Sequence, residues 1–85
     1  MIQEHEAVLQ ITVNGEQGEL PDPVHFDSGD GDIKAWATEA VRAGGIPGIT
    51  PDPMADFSAY TVDRFPARDG KCNRLSLRPK VPFGG

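Results

Sequence analysis

The last seven residues of the sequence, PKVPFGG from Pro79 to Gly85, are the ones that most clearly suggest chemistry. Pro79 and Pro82 favour an extended backbone that pairs poorly with neighbouring strands. Gly84 and Gly85 lack side chains, so this backbone can pass close to a nucleotide or a catalytic cysteine of another protein, where a Cβ atom would collide. The pattern predicts a tail that enters a partner's active site. The alternative is a diglycine without a role.

A second candidate is the acidic segment DSGDGD, from Asp27 to Asp32. The residues that match positions 1, 3, 5 and 12 of an EF-hand calcium loop are Ser28, Asp30, Asp32 and Glu39. The sixth position of that loop requires glycine, and this chain has Ile33 there. We therefore predict that Asp30 or Asp32 instead caps a helix, accepting hydrogen bonds from its free N–H groups.

No other residues form a recognisable site. His5 and His25 are too few for structural zinc, and His25 is expected to be half-exposed on a strand. Cys72 is the only cysteine, so we expect an ordinary loop or partly buried thiol in a reducing cytoplasm. Nucleotide-binding and nucleophile motifs are absent from the sequence. We expect a protein that is not an enzyme and that needs no metal or cofactor.

Charge divides the chain into two unequal parts. Residues 1–63 carry two basic and twelve acidic side chains, a balance of −10, whereas residues 64–85 carry six basic and one acidic, a balance of +5. The acidic total disfavours nucleic acid as a partner. The basic end could steer towards an acidic protein surface. With no apolar run of about 18 residues and no signal peptide, we expect a cytoplasmic protein that is not in a membrane.

The elements that position these residues can be read from side-chain periodicity. The segment AVLQITV, residues 7–13, alternates as a strand does, and Asn14-Gly15 predicts a tight turn after it. Pro21 and Pro23 interrupt the returning segment, so the second strand is expected near Val24 to Phe26, at an edge.

One amphipathic helix is predicted within SGDGDIKAWATEAVRAGG, ending at Gly44-Gly45. Its apolar stripe consists of Ile33, Trp36, Ala37, Ala40 and Val41, with Trp36 as the main core residue. The proline-rich segment IPGITPDPMADF, residues 46–57, is predicted to be a surface loop.

Two strands complete the chain, separated by a turn at Asp69-Gly70. Tyr60 and Val62 are predicted to face inwards on the first, and Leu75 and Leu77 on the second. The expected architecture is an α+β fold, ββαββ, with the helix across a mixed sheet of four to five strands. Residues 1–78 would form one domain and residues 79–85 an extended tail. The full predicted core is Leu9, Ile11, Val13, Phe26, Ile33, Trp36, Ala40, Val62, Leu75 and Leu77.

The order of elements, the GIP sequence after the helix (Gly45, Ile46, Pro47) and the Gly84-Gly85 end resemble the ubiquitin-like β-grasp family. This family includes ubiquitin, archaeal modifiers, bacterial ubiquitin-like proteins of defence operons and the sulfur carriers of molybdopterin and thiamin synthesis. The proline-containing tail is similar to those of the sulfur carriers. The proline-rich loop and the broken second strand depart from the ubiquitin pattern.

The resemblance implies a carrier whose terminal carboxylate is adenylated by an activating enzyme and then passed to a cysteine or to sulfur. Gly85 would react, Gly84 would give clearance, and a conjugating enzyme or a deconjugating protease could be further partners. The residues that would be recognised around the tail are Pro79, Lys80, Pro82, Phe83, Arg78 and Arg74. The competing hypothesis is a non-catalytic interaction module, of a phage or mobile-element type, that binds one protein through its sheet. Self-association through an exposed strand edge also stays open.

Overall fold

A computed structural model of the chain describes residues 5–68, 70 and 72–79. The elements along the chain are β1 (Glu6–Val13), β2 (Glu16–Glu19), β3 (Val24–His25), α1 (Asp30–Ala43), β4 (Tyr60–Phe65) and β5 (Asn73–Pro79). Strand β5 thus includes Pro79, the first residue of the expected tail. Within this part of the chain, the helix is too short and too polar to span a membrane.

The strands form one mixed sheet in the order β2-β1-β5-β4, with β3 paired to the start of β1. Strands β1 and β5 are parallel neighbours, and Leu9 lies opposite Leu75. Strands β2 and β4 flank this pair in the antiparallel direction. The sequence pattern alone had left the pairing of the first and last strands open. The fold is α+β, with one helix on a five-stranded sheet.

The hairpin after β1 begins as predicted but continues differently. Asn14 and Gly15 have φ angles of 51° and 79°, the positive values that a two-residue hairpin turn requires. The short strand expected near Val24 to Phe26 is present as β3, Val24–His25. It is the third strand and not the second, because β2 already begins at Glu16 and pairs with the end of β1. Its sequence EQGE has little apolar alternation, so the turn rather than the side chains sets this pairing. Pro21 and Pro23 lie between β2 and β3.

Helix α1 ends as predicted but begins differently. Gly44 has a φ of 75°, the left-handed conformation that terminates helices and that glycine adopts readily. At the other end, the predicted capping by Asp30 or Asp32 was wrong: Gly29 is the N-cap residue, and no side chain caps the helix. Both aspartates lie in the first turn, where their charge still suits the helix dipole.

Trp36 was wrongly assigned to the core. Ile33, Ala37 and Val41 are the buried residues of the helix, whereas Trp36 is 39% exposed. These three residues follow one another at four-residue spacing, so they define the centre of the buried stripe, and Trp36 lies at its margin. The large aromatic residue that does fill the core is Phe57, which is 1% exposed.

The proline-rich segment is not merely a surface loop, as had been predicted. Ile46, Ile49, Ala55 and Phe57 are all buried in the core. Polar contacts hold the segment in place: Glu16 accepts hydrogen bonds from the backbone N and the Oγ1 of Thr50, both at 2.9 Å. Prolines exclude regular structure from this segment, but they do not prevent its apolar side chains from entering the core.

The core lies between the sheet and the helix and is closed by this loop. Of the ten predicted core residues, the structure buries Leu9, Ile11, Val13, Ile33, Leu75 and Leu77. Three more pack against the core while partly exposed, namely Phe26, Ala40 and Val62. Tyr60 also packs there, edge-on to Phe57 with the ring centroids 4.7 Å apart, and burial raises its pKa.

Candidate functional site

The sheet has one face that no described element covers. Because alternate strand residues point to opposite faces, the burial of Leu9, Ile11, Leu75 and Leu77 places their neighbours on the other side. The residues on this open face include Val8, Gln10 and Thr12 of β1, Thr61, Asp63 and Phe65 of β4, and Arg74, Ser76 and Arg78 of β5. Strand β5 crosses the middle of this face and leads to Lys80.

The two arginines that had been expected to guide a partner both lie on the open face. Arg78 forms an ion pair with Asp63 on the neighbouring strand. The guanidinium of Arg74 lies over the ring of Phe65, 5.3 Å from its centroid, a cation–π arrangement. The contacts place both guanidinium groups on the open face, with the charge of Arg78 next to the carboxylate of Asp63.

An open groove of about 710 Å³ runs beside Arg74. We call it the open-face groove, and the described residues that line it are Val8, Glu19, Phe65, Pro66, Arg68, Gly70, Cys72 and Arg74. Its volume is typical of ligand-binding pockets. Its described lining combines charged side chains, among them Arg74 and Glu19, with the exposed ring of Phe65.

Sequence reasoning did not predict the open-face groove, although a signal for it existed. Phe65 is 45% exposed, which is unusual for a large aromatic side chain. In a strand where Tyr60 and Val62 face the core, alternation places Phe65 on the opposite face together with Thr61 and Asp63. The same alternation on β1 and β5 brings Val8 and Arg74 beside it.

Cys72, His5 and His25 are all exposed at the surface. Cys72 is an exposed free thiol in the wall of the open-face groove. The rings of His5 and His25 lie tilted against each other at 43°, with their centroids 5.0 Å apart, and His25 is exposed rather than half-exposed. Among the described residues, no group of three or more His, Cys, Asp or Glu side chains is arranged to hold a metal ion.

The segment that resembled part of a calcium loop is held by an arginine. Arg64 of β4 donates to the carbonyl oxygens of Phe26 and Ser28, at 3.0 and 2.8 Å, and to the carboxylate of Asp30 at 2.5 Å. The guanidinium therefore occupies the position of a cation beside these oxygens. Its role here is to tie β4 to the start of the helix.

The reactive end of the predicted tail lies outside the described residues. Of the residues expected to be recognised by a partner, Arg74, Arg78 and Pro79 belong to β5, and Pro79 lies opposite Tyr60 at its end. The residues outside the described part are Lys80, Pro82, Phe83, Gly84 and Gly85. No protein-family model, curated protein or solved structure matches the chain.

Proposed function

We propose that this chain is a ubiquitin-like β-grasp protein that acts as a modifier or sulfur carrier through the carboxylate of Gly85. The observation that supports the proposal is the central parallel pair of β1 and β5, with the helix packed on one face. In this arrangement β5 continues directly into the sequence that ends in Gly84-Gly85. The sheet thus supplies a rigid base for the tail.

The proposed chemistry takes place on the Gly85 carboxylate. An oxygen of this carboxylate attacks the α-phosphate of ATP in an activating enzyme, releasing pyrophosphate and forming an acyl adenylate. A thiolate or sulfide then attacks the acyl carbon and AMP leaves, which gives a thioester or a thiocarboxylate. A thioester can pass the acyl group to a lysine amine as an amide. The chain is the substrate in each step and contributes no catalytic group.

The described residues support this mechanism through electrostatics. Arg74 and Arg78 are held on the open face of the last strand, next to the tail that the enzyme would recognise. Positive charge placed there raises the rate of encounter with an acidic surface more than it raises affinity. Arg78 is nearer to Lys80 in sequence than Arg74 is, so removal of Arg78 is expected to slow activation. The effect should be stronger at low salt than at high salt, because salt screens the attraction between charges.

The test combines the purified chain, ATP and activating enzymes of the ubiquitin and sulfur-carrier classes, with intact-mass detection of the adenylate or thioester. We expect product from the wild-type chain and none after deletion of Gly85. Glu39→Ala is the matched control, because Glu39 is exposed on the helix side, away from β5. If the chain without Gly85 reacts as well as the intact chain, the carrier proposal is wrong.

The open-face groove favours a second candidate function, a non-catalytic module that binds a protein through its sheet. The exposure of Phe65 and its stacking with Arg74 are the observations behind this candidate. One experiment distinguishes the carrier function from the binding module. A chain lacking Gly84 and Gly85 would keep all activity as a module and would lose all activity as a carrier.

A further inference from the structure

The two outer strands of the sheet differ in what lies beside them. Along β2, the loop after the helix comes so close that a Cβ built on Gly48 would lie 2.7 Å from the carbonyl oxygen of Gln17. A Cβ on Gly18 would likewise collide with the backbone of Pro47. Strand β4, the last in the order, pairs with β5 alone among the described strands. We call the side of β4 that faces away from β5 the β4 edge.

The β4 edge carries backbone groups that β5 does not bind. In an antiparallel pair of strands, hydrogen-bonded and non-hydrogen-bonded residue pairs alternate. Tyr60 lies opposite Pro79, which has no N–H, and the N–H of Tyr60 donates instead to the carbonyl of Phe57 at 3.0 Å. Tyr60 and Pro79 are therefore a non-hydrogen-bonded pair. By alternation, Val62 and Arg64 also point their N–H and C=O groups away from β5.

The hydrogen bonds on the far side of the sheet give the same alternation. The N–H of Leu20 donates to the carbonyl of Leu9 at 2.9 Å, so Leu9 points towards β2 and its neighbour Val8 points towards β5. Val8 lies opposite Arg74 in the parallel pair, so the residues that flank Arg74 bond to β1 and Arg74 itself faces β4. The residues of β4 that bond to β5 are therefore Thr61, Asp63 and Phe65.

The outward groups of β4 match those of a second copy of the same strand. Among the described residues, none outside β5 is hydrogen-bonded to the backbone of Val62 or Arg64. When two β4 strands run antiparallel with Val62 opposite Val62, each Tyr60 lies opposite the Arg64 of the other copy. The two Val62 residues then exchange both of their hydrogen bonds. Each Arg64 N–H donates to the carbonyl of the other copy's Tyr60, which makes about four bonds in all.

Side chains on the open face favour the same register. Thr61 lies opposite Asp63 of the second copy, where its hydroxyl can donate to the carboxylate. Centring the pair on Asp63 would instead set two like charges against each other and would place Pro66, which has no N–H, opposite Tyr60. Centring it on Thr61 would lose the bonds of Arg64, because Arg64 would then lie opposite the turn that precedes β4.

We propose that two copies of this chain associate through their β4 edges, antiparallel and with a two-fold axis at Val62, so that the two sheets continue into one. The contact joins the same surface of both copies, so it closes at the dimer and does not propagate. Only the six residues of β4 take part in each copy. The interface is therefore small, and the association is weak and depends on protein concentration.

Amide hydrogen exchange of the wild-type chain, followed by NMR at about 0.05 mM and about 1 mM protein, tests the proposal together with sedimentation equilibrium over the same range. We expect the mass of a dimer at the higher concentration. The amides of Val62 and Arg64 should exchange about twofold more slowly there, or slower still, if the dissociation constant is about 1 mM or below. The amides of Thr61 and Asp63 are bonded to β5 and should be protected at both concentrations.

A charge placed on β4 tests the side-chain contact. Thr61→Asp sets a carboxylate against Asp63 of the second copy, twice in each dimer, and should weaken the association about tenfold. Thr12→Asp is the matched control: it is the same substitution of a half-buried threonine on the same face, but on β1 beside β2. It should leave the association unchanged, and circular dichroism checks that both variants fold. Deletion of Gly85 should also have no effect, because the contact does not depend on the proposed carrier function.

Disulfide formation tests the register. Thr61→Cys and Asp63→Cys are made separately, each together with Cys72→Ser, and the two chains are mixed and mildly oxidised. In the proposed dimer these two positions are a non-hydrogen-bonded pair with Cα atoms about 4.5 Å apart, within the range of a disulfide. We expect the disulfide between the two different chains to exceed the disulfides between identical chains.

Four outcomes would overturn the proposal. The first is a wild-type chain that stays monomeric at about 1 mM. The second is slowed exchange that appears on another element and not at Val62 and Arg64, which would assign the contact to a different surface. The third is a Thr12→Asp chain that loses as much association as Thr61→Asp. The fourth is a preference for disulfides between identical chains, which would contradict the register.

Discussion

Phe57→Ala is expected to destabilise the fold far more than Trp36→Ala. Phe57 is among the largest fully buried side chains, with 1% exposure and an edge-on contact with Tyr60. Truncation of a buried phenylalanine costs about 3 to 5 kcal/mol, including the cavity that is left. A domain of this size has a total stability of about 4 to 13 kcal/mol, so much of it would be lost.

Trp36 is the informative comparison, because the sequence pattern had placed Trp36, and not Phe57, in the core. With 39% of its surface exposed, Trp36 buries about 120 Å² of the roughly 200 Å² that a tryptophan can bury. At about 25 cal/mol per Å², and allowing for the surface that alanine keeps, its truncation costs about 2 kcal/mol. No closed cavity is left behind, since solvent already reaches the site.

Urea denaturation of the two variants and the wild type provides the measurement. For a chain of this size, each kcal/mol shifts the melting temperature by about 4 to 8 °C, so thermal melts give a second estimate. Phe57→Ala should lose at least 1 kcal/mol more than Trp36→Ala. If Trp36→Ala proves the more costly, the helix is rotated relative to the structure and the loop does not close the core.

The other predictions concern stability, side-chain anchoring and packing. Arg64→Ala should lower the free energy of unfolding by about 1 kcal/mol, because it removes a partly exposed guanidinium that makes three hydrogen bonds. If the midpoint of urea denaturation does not change, these hydrogen bonds are not formed in solution. The hydrogen bonds from Thr50 lower the pKa of Glu16 below 4.5. The contact between Glu16 and Thr50 therefore stabilises the fold above that pH, and this stabilisation is lost as the pH falls through the folded-state pKa of Glu16. NMR should show the Thr50 amide shifting in that acidic range in the wild type, but a shift that persists in Glu16→Gln would contradict this assignment. Gly18→Ala should lower the free energy of unfolding by about 2 kcal/mol, because the new Cβ would collide with the backbone oxygen of Pro47. Gly31→Ala should raise it by about 0.5 kcal/mol, because Gly31 lies in the helix and its new Cβ meets open space. Equal melting temperatures for these two glycine variants would show that the loop does not approach β2.

Much of the fold could be predicted because it follows from side-chain periodicity. The alternation on β1 and β5 and the glycine that ends the helix are direct consequences of backbone geometry. The burial of the proline-rich loop could not be predicted in this way. Irregular backbone has no period, so the inward direction of Ile46 and Phe57 depends on contacts with distant residues. The N-cap position of Gly29 was not predicted either, and the carboxylate of Asp30 accepts a hydrogen bond from Arg64.

The candidate site was predicted only in part. Sequence indicated that Arg74 and Arg78 belong to the last strand and that positive charge gathers there. It could not indicate that Asp63 pairs with Arg78 or that Phe65 stacks with Arg74, because those contacts depend on the register between β4 and β5. The open-face groove likewise requires residues of four strands, β1, β2, β4 and β5, together with described residues between β4 and β5.

The central claim, that Gly85 carries the reacting carboxyl group, is tested most directly by mass spectrometry of the protein isolated from cells that express it naturally. Trypsin cleaves after Lys80, so a conjugated chain leaves the five residues VPFGG on a lysine of the target. We predict either such branched peptides or a chain whose Gly85 carboxylate has one oxygen replaced by sulfur. Only unmodified Gly85, or only chains that continue past Gly85 without either product, would contradict the proposed function.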